Sequence, residues 1–264
     1  MIEKYKPYFD RLNIVPQNLS FELVAELQRK HLAEFSFNNL AVLLGQAVSL
    51  DIGDIIEKII VQNRGGYCFE HNKLMHCVLE ELGFNVRCLL ARVLNSKELE
   101  TARTHRVTLL EWNSEFYIID VGFGPNCPRG PIKVKLGEEF VHGTYAYCLA
   151  ESAYDDFQLE LLTESGAYTL YAFNLEHYTD ADCEMSNFYS SHHPETIFVV
   201  NLAISRIFDD VTLSLRNDQY HKIGASQTEI IQVENQQQLQ NILADDFGIE
   251  LSDAECCQLY KVAI

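Results

Sequence analysis

The hydrophobic pattern of this chain changes its period near residue 85, and that change constrains the fold more than any other feature. Before it, apolar residues recur at helical spacing in 20–33 and 52–61, and a third helix is predicted to begin at Cys68, after two glycines. After Val86, short apolar and β-branched runs separated by turn residues indicate antiparallel strands. The sequence therefore predicts an α+β chain that starts with helices and continues as a sheet or small barrel.

The last third of the chain mixes both patterns. Residues 197–207 are strongly apolar, two short runs after them have the alternation of strands, and 235–248 form a predicted closing helix. A chain of 264 residues is long for one domain and suggests two or three small ones that share a core. We divide it into a helical part, a β-rich part and a mixed part, with the bounds 1–85, 86–185 and 186–264.

Charge and cysteine usage exclude several classes of function. The formal net charge is −18, whereas a nucleic-acid partner requires a basic surface. No apolar run is long enough to cross a bilayer and the N-terminus lacks an apolar signal segment, so we expect a cytoplasmic protein without a membrane partner. The eight cysteines are irregularly spaced and include no CxxC pair, so reduced thiols are expected and a zinc ribbon is not.

One segment departs from this acidic character. Residues 87–135 contain eight basic and five acidic side chains. A locally positive segment in an acidic protein can dock a small anionic ligand. The alternative is an ordinary solvated face of a strand, and charge alone favours that alternative.

Cys68 stands at a position that favours nucleophilic chemistry. It follows the RGGY segment (64–67) and begins a predicted helix. Unpaired backbone N–H groups and the positive end of the helix dipole stabilise a thiolate at such a position. The alternative is a buried structural cysteine, which is the more usual role of the residue and suits Cys77 on the same helix better.

A thiolate nucleophile needs a base, and the base needs a residue that orients it. His105 begins a predicted strand, and Asp120 lies in the strand after a turn at 113–114. If this turn has two residues, Asp120 faces Val107, which places His105 on the same sheet face and diagonal to Asp120. A loop one residue longer would put the two side chains on opposite faces. Asp120 lies in an apolar run, YIIDVGF, and therefore also needs a polar partner.

Two other groupings fit their possible roles less well. Cys68, His71, His76 and Cys77 are close in sequence, but the last two do not share the helix face of the first two, so no metal site is predicted. The GFG segment at 122–124 is too short for a nucleotide-binding fingerprint and lacks the strand and helix around it.

Several segments resemble the arylamine N-acetyltransferases, in the same order and at similar spacing. The specific matches are RGGYCFEHN (64–72), RTH (103–105) and DVGFG (120–124). Further matches are FSFNNL (35–40), RVL (92–94) and SNFYSSHHPETIFVVNL (186–202). The resemblance therefore covers nearly the whole chain, and its RGGYCFE block is a specific signal.

This resemblance implies a fold and a reaction. The fold would consist of a helical N-terminal domain, an antiparallel β-barrel middle domain and an α/β C-terminal lid. In the reaction, acetyl-coenzyme A would acetylate the cysteine, coenzyme A would leave, and an arylamine or arylhydrazine would take the acetyl group in a ping-pong sequence. No metal ion takes part in this chemistry.

The resemblance also assigns residues to roles. Cys68 would be the acyl-accepting nucleophile, His105 its base and Asp120 the orienting residue. The residues that would line the acceptor cleft are Phe37, Phe69, Val93, Phe123 and Phe198. Those that would lie near coenzyme A are Thr104, Gly124 and Asn126.

Three features depart from the family pattern. Ser36 and Asn38 stand where the family has proline and glutamate. The glutamate is expected to pair with the arginine of the RGG block, so Arg64 must find another partner or make only a neutral hydrogen bond. His71 stands where glutamine is usual, and the loop 125–131 contains less glycine than in relatives.

The triad alone leaves alternatives open. A thiol hydrolase or a transglutaminase-like enzyme uses the same three residue types, and a catalytically silent scaffold can retain them. The RGGYCFE block and the aromatic residues favour the transferase, whose acyl-enzyme reacts with an amine rather than with water.

Overall fold

The N-terminal part of the chain is helical, as predicted. The computed structural model describes residues 2–97 and 101–264, so Glu98 and Glu100 of the basic segment lie outside it. The helices of this part are α1 (Lys6–Leu12) after a 3-10 turn (Ile2–Tyr5), α2 (Phe21–Glu34), α3 (Leu40–Leu43), α4 (Ile52–Ile55) with a π-helical continuation (Ile56–Val61), and α5 (Cys68–Leu82). The Ser20 hydroxyl accepts a hydrogen bond from the Leu23 N–H and starts α2, and Gly83 ends α5 at a φ of 98°.

The middle of the chain forms an eight-stranded, nearly closed antiparallel barrel, which confirms the predicted fold class. Its strands are β2 (Asn85–Val93), β3 (Arg103–Trp112), β4 (Glu115–Ile119), β5 (Ile132–Lys133), β6 (Glu139–His142), β7 (Tyr145–Ala150), β8 (Phe157–Thr163) and β9 (Gly166–Phe173). They are ordered β5-β4-β3-β2-β9-β8-β7-β6. Leu89, Val107, Leu109 and Tyr171 belong to the cluster of buried residues that fills the barrel.

The β3–β4 hairpin has the two-residue turn on which the predicted register depended. Asn113 and Ser114 have φ values of 53° and 63°, the left-handed conformation that suits the twist of a tight hairpin. Trp112 consequently faces Glu115. This register places the His105 side of β3 next to the end of β4, where Asp120 follows.

The C-terminal part is a five-stranded sheet with helices. Its strands are β1 (Phe37–Asn38), β10 (Ala203–Ile207), β11 (Val211–Arg216), β12 (Gln219–Gly224) and β13 (Thr228–Gln232), hydrogen-bonded in that order. The helices are α6 (Asp180–His192), α7 (Ile197–Val200), α8 (Gln236–Asp245) and α9 (Asp253–Ala263). The predicted closing helix is α8, and α9 follows it. The division at 85 and 185 stays a prediction; α6 spans the second boundary, and β1 joins the C-terminal sheet from the helical part.

The packing leaves Cys68 where the three parts of the fold meet. A small buried cluster holds Cys68 and Phe69 of α5, Leu90 of β2 and Cys183 of α6, and Phe198 of α7 packs against it. Across residues 2–97 and 101–264, no helix combines the length and apolar character needed to span a membrane.

Candidate active site

Cys68 is the first residue of α5 and is almost fully buried, with 2% of its surface exposed. Its Sγ lies 3.6 Å from the carbonyl oxygen of Thr104, so the sulfur sits against the start of β3, directly beside His105. The DVGFG segment passes so close that a Cβ on Gly122 would lie 2.8 Å from the Cα of Cys68. Gly65 has a φ of 62°, and a Cβ there would lie 2.2 Å from the carbonyl oxygen of Ser36. A side chain at either glycine would therefore disturb the backbone around Cys68.

His105 and Asp120 form a buried pair, as the hairpin register predicted. The His105 Nε2 donates to Asp120 Oδ2 at 2.8 Å, which leaves Nδ1 as the ring nitrogen available to Cys68. The other carboxylate oxygen, Oδ1, accepts hydrogen bonds of 2.9 Å from the Asn72 amide and from the Gly122 N–H. Each of the two carboxylate oxygens thus has at least one donor, which fixes the orientation of the carboxylate.

The electrostatics of the pair favour a charged imidazole. Burial opposes a charge on His105, but the Asp120 carboxylate and its hydrogen bond outweigh burial and, with a contribution from Cys68, raise the pKa of His105 to about 10. Burial also acts to raise the pKa of Asp120, yet His105 and the hydrogen bonds from Asn72 and Gly122 lower it. Both shifts favour an ion pair of the His105 imidazolium with the Asp120 carboxylate at neutral pH, next to the Cys68 sulfur.

Two buried amides that the sequence analysis did not single out hold this arrangement together. The Asn72 amide donates to the Arg106 carbonyl at 2.6 Å as well as to Asp120, and its Oδ1 accepts the Val121 N–H at 3.0 Å. Asn72 lies four residues after Cys68 on the same helix face, a spacing that was visible in the sequence. The Gln28 amide donates to the carbonyl oxygen of Asp120, and also to two carbonyls of the 125–131 loop. Nothing in the sequence marked Gln28.

A cleft of about 430 Å³ opens above Cys68 and His105. Of the residues predicted to contact acceptor or coenzyme A, those that line it are Phe37, Val93, Phe123, Phe198, Thr104, Gly124 and Asn126. Phe69 does not line the cleft: its ring is fully buried, and its centroid lies 5.7 Å from that of Tyr67. The structure thus brings seven of these eight residues to one cavity around Cys68.

The cleft also has a polar wall, which no pattern in the sequence indicated. Ser205 of β10 and Ser214 of β11 are paired across the C-terminal sheet, and both line the cleft. The buried Ser205 hydroxyl has no hydrogen-bond partner among the described residues. Lys97 and Arg216 add two positive charges to the lining. Only Lys97 belongs to the basic segment 87–135; the other three come from the C-terminal sheet.

The substitutions at Ser36 and Asn38 are accommodated locally. Arg64, which lacks the family glutamate, forms an ion pair with Glu255 of α9 at 2.5 Å and donates to the Glu250 carbonyl at 2.9 Å. Asn38 donates from its amide to the Arg64 carbonyl at 3.0 Å. The ion pair of the RGG block is therefore with helix α9, whereas its bond to β1 is an uncharged hydrogen bond from Asn38.

His71 belongs to a buried chain of hydrogen bonds that has a single consistent direction. Its Nε2 lies 3.2 Å from the Ser36 carbonyl, which only accepts, so Nε2 carries the proton. His71 Nδ1 then accepts from His31 Nε2 at 2.8 Å, and His31 Nδ1 accepts from the Tyr8 hydroxyl at 2.9 Å. Burial lowers the pKa of His71 to about 4 and that of His31 well below its usual value. Both rings are thus neutral at pH 7, and His71 adds no charge near Cys68.

A cysteine, a histidine and a carboxylate placed together in this way are the set of residues found in the enzymes that use a cysteine nucleophile. Within the described residues there is no group of three or more His, Cys, Asp or Glu side chains that could hold a metal ion.

Comparison with known proteins identifies the family. A family model described as N-acetyltransferase matches residues 20–256. The arylamine N-acetyltransferase of Escherichia coli K12 is 34% identical over 254 residues, covering 94% of this chain and 89% of that protein. The arylamine N-acetyltransferase of Mycobacterium tuberculosis H37Rv is 32% identical over 257 residues, covering 93% and 89%.

Solved structures agree with these relatives. The Salmonella typhimurium arylamine N-acetyltransferase superposes with a TM-score of 0.93 at 29% identity, covering 99% of both chains. The Mycobacterium marinum arylamine N-acetyltransferase in complex with CoA superposes with a TM-score of 0.92 at 28% identity, covering 98% of this chain and 99% of that one. The chain belongs to the arylamine N-acetyltransferase family and is an acyltransferase.

Proposed function

We propose that the protein moves an acetyl group from acetyl-coenzyme A through a thioester on Cys68 to an arylamine or arylhydrazine, by a ping-pong mechanism. The observation that carries this proposal is the placement of Cys68 beside the His105–Asp120 pair, at the base of a cleft with aromatic walls. The family, and the relative whose structure was solved with CoA, support the choice of donor.

In the first half-reaction, the Cys68 thiolate attacks the thioester carbonyl of acetyl-coenzyme A. The new bond joins Sγ to the acetyl carbon, and the bond from that carbon to the coenzyme A sulfur breaks. The His105 imidazolium gives its Nδ1 proton to the departing sulfur, so coenzyme A leaves as a thiol. His105 is left neutral, and Asp120 keeps it in the orientation that leaves Nδ1 towards the sulfur.

In the second half-reaction, the amine attacks the acetyl carbon of the Cys68 thioester. The neutral His105 accepts the proton that the amine loses, and Cys68 leaves as a thiolate beside the restored imidazolium. A single ring therefore acts as acid in the first half and as base in the second. The charge of the His105–Asp120 pair is the same before and after the cycle.

The walls of the cleft suit a flat, apolar acceptor. Phe37, Phe123 and Phe198 present aromatic surface next to the nucleophile, with Val93 beside them. Such walls favour an aromatic amine by stacking and apolar contact, and they exclude water from the acyl-enzyme. Water exclusion is what separates a transferase from a thiol hydrolase that has the same triad.

The polar wall suits coenzyme A. The hydroxyls of Ser205 and Ser214 can hydrogen-bond the amide groups of the pantetheine arm, which would give the unpartnered Ser205 hydroxyl a partner. Lys97 and Arg216 would face the diphosphate. Thr104, Gly124 and Asn126, the residues that the resemblance assigned to coenzyme A, line the same cleft.

The test is release of coenzyme A thiol from acetyl-coenzyme A by purified protein, with and without 2-aminofluorene or 5-aminosalicylate. We expect amine-dependent release, and without amine one acetyl group on Cys68 by peptide mass. Cys68→Ala should abolish both signals, whereas the matched control Cys77→Ala, on the same helix, should retain them. Steady release without amine would indicate a hydrolase, and absence of any acylation would indicate a silent scaffold.

A further inference from the structure

Two further thiols, those of Cys88 and Cys183, lie in the same small buried cluster as Cys68. Cys88 of β2 and Cys183 of α6 face each other with their Sγ atoms 3.5 Å apart, although 95 residues separate them in the chain. In the part of the chain that the structure describes, no other two cysteine side chains are hydrogen-bonded to each other. Cys88 Sγ also lies 3.6 Å from the Leu89 carbonyl oxygen, and Cys127 and Cys256 each donate to a backbone carbonyl.

A buried cation accompanies this pair. Arg106 is paired with Leu90 in the β2–β3 register, so it lies on the outer face of the barrel with Cys88, under α6. It is 1% exposed, and its Nε has no hydrogen-bond partner among the described residues. The carboxylate that pairs with it is that of Asp180, whose Oδ1 lies 3.4 Å from Arg106 Nη1. The Asp180 side chain is 68% exposed and also forms an ion pair with Lys73. A buried guanidinium with so weak a counter-charge favours a thiolate beside it.

The two thiols differ in acidity. The hydrogen bond with Cys183 lowers the pKa of Cys88 against the effect of burial, and Arg106 lowers it further. The same hydrogen bond raises the pKa of Cys183, and burial adds to this. Cys88 also has the larger exposed fraction, 8% against 0%. Because Cys88 is the more exposed of the two and shares the outer face of the barrel with Arg106, it is the thiol that reacts first, and Cys183 resolves the product.

We propose that Cys88 and Cys183 form an oxidisable dithiol site, which a hydroperoxide converts to a disulfide between strand β2 and helix α6. The Cys88 thiolate attacks the peroxide, forms a sulfenic acid and releases water from hydrogen peroxide after protonation. The Cys183 sulfur then attacks the Cys88 sulfur, a second water leaves, and two thiols plus one peroxide have given one disulfide and two waters. The sulfurs need to approach by roughly 1.5 Å to reach bonding distance.

The disulfide would reinforce one wall of the site. The loop that it closes contains both His105 and Asp120. Helix α6 also provides Asn187, whose side chain accepts the Tyr67 hydroxyl at the start of α5. A covalent tie from β2 to α6 restricts the unfolded chain and holds α6 against the barrel. We expect the oxidised protein to unfold at a temperature roughly 5 to 10 °C higher than the reduced one, reversibly with dithiothreitol.

The experiment uses the full chain with Cys68→Ala, so that the catalytic sulfur consumes no oxidant and acetyl transfer plays no part in the result. The protein is treated with hydrogen peroxide, denatured, alkylated with iodoacetamide and digested without reduction. We expect a linked peptide pair that joins Cys88 to Cys183, lighter than its two reduced halves by about 2 Da. Cys183→Ser should lose the link, whereas the matched control Cys77→Ser, whose thiol also lies near Arg106, should retain it.

The proposal is overturned if Cys88 and Cys183 are alkylated as fully as in untreated protein, at a peroxide dose that oxidises Cys68 in a parallel sample of the unsubstituted chain. It is also overturned if Cys88 links to another cysteine. Should Cys183→Ser fail to fold, the linked peptide in the Cys68→Ala protein decides the question by itself.

Discussion

The substitution His71→Gln tests the buried chain of hydrogen bonds behind the nucleophile helix. His71 is 1% exposed. It accepts a hydrogen bond from His31 and donates one to the carbonyl oxygen of Ser36, the residue before Phe37 of the cleft. Glutamine can make both bonds, because its amide N–H donates to Ser36 and its oxygen accepts from His31. The variant therefore removes a titrating group without removing its hydrogen bonds.

The magnitude follows from the pKa of His71. Burial lowers it from 6.5 to about 4 in the folded protein, so between these values the unfolded chain binds a proton that the folded chain does not. Stability is therefore fully present above pH 6.5 and is lost as the pH falls towards 4. The shift corresponds to about 3 kcal/mol of the free energy of unfolding. His31, whose pKa is also lowered by burial, adds a loss in the same direction.

The assay is urea unfolding at a series of pH values from 8 to 4. We expect the two proteins to have similar stability at pH 8, and the unsubstituted protein to lose about 3 kcal/mol more than His71→Gln on acidification. The exposed His177 provides a matched control, since His177→Gln should follow the unsubstituted protein. Identical pH dependence of the unsubstituted protein and His71→Gln would refute the assignment of a neutral, buried His71.

Three further predictions concern the active site directly. Asp120→Asn should lower the rate of Cys68 acetylation about a thousandfold and destabilise the fold by about 3 kcal/mol, because His105 loses the charge that keeps it protonated. The rate is measured by single-turnover mass spectrometry and the stability by urea unfolding. An unchanged rate would leave Asp120 a purely structural role. Gly122→Ala should cost about 2 kcal/mol and reduce turnover, since its Cβ would lie 2.8 Å from the Cα of Cys68; a neutral effect would mean that the close approach is absent. Arg216→Ala should raise the KM for acetyl-coenzyme A about tenfold with kcat little changed. The exposed Lys261→Ala is the control, and a KM of Arg216→Ala equal to that of this control would mean that Arg216 does not contact the donor.

The parts of the site that were predictable depend on local rules. Counting back from the two-residue turn at 113–114 places His105 and Asp120 on one face, and the structure has that register. The RGG glycines before Cys68 mark a helix start, and α5 begins at Cys68. Each of these two predictions depends only on neighbouring residues or on one hairpin, and the backbone geometry of such short segments allows few alternative conformations.

The parts that were not predictable depend on contacts between distant segments. Ser205 and Arg216 reach the cleft because β10 pairs with β1, more than 160 residues earlier in the chain, and no local pattern encodes that pairing. Gln28 binds carbonyl groups about a hundred residues away. Polar residues of this kind resemble ordinary surface residues in the sequence, because their function arises only once the segments pack together.

Asn72 shows how the docking of helix α5 is linked to the charges beside Cys68. Cys68 lies on α5, whereas His105 and Asp120 lie on or after barrel strands, so the triad exists only when the helix docks on the barrel. Asn72, one turn after Cys68, bonds to Asp120 and to the backbone of both barrel segments. Its hydrogen bond helps to keep Asp120 ionised in a buried site, and Asp120 in turn keeps His105 charged. Docking of α5 therefore brings the Cys68 sulfur to the His105–Asp120 pair and also supplies part of the electrostatics that keep this pair charged.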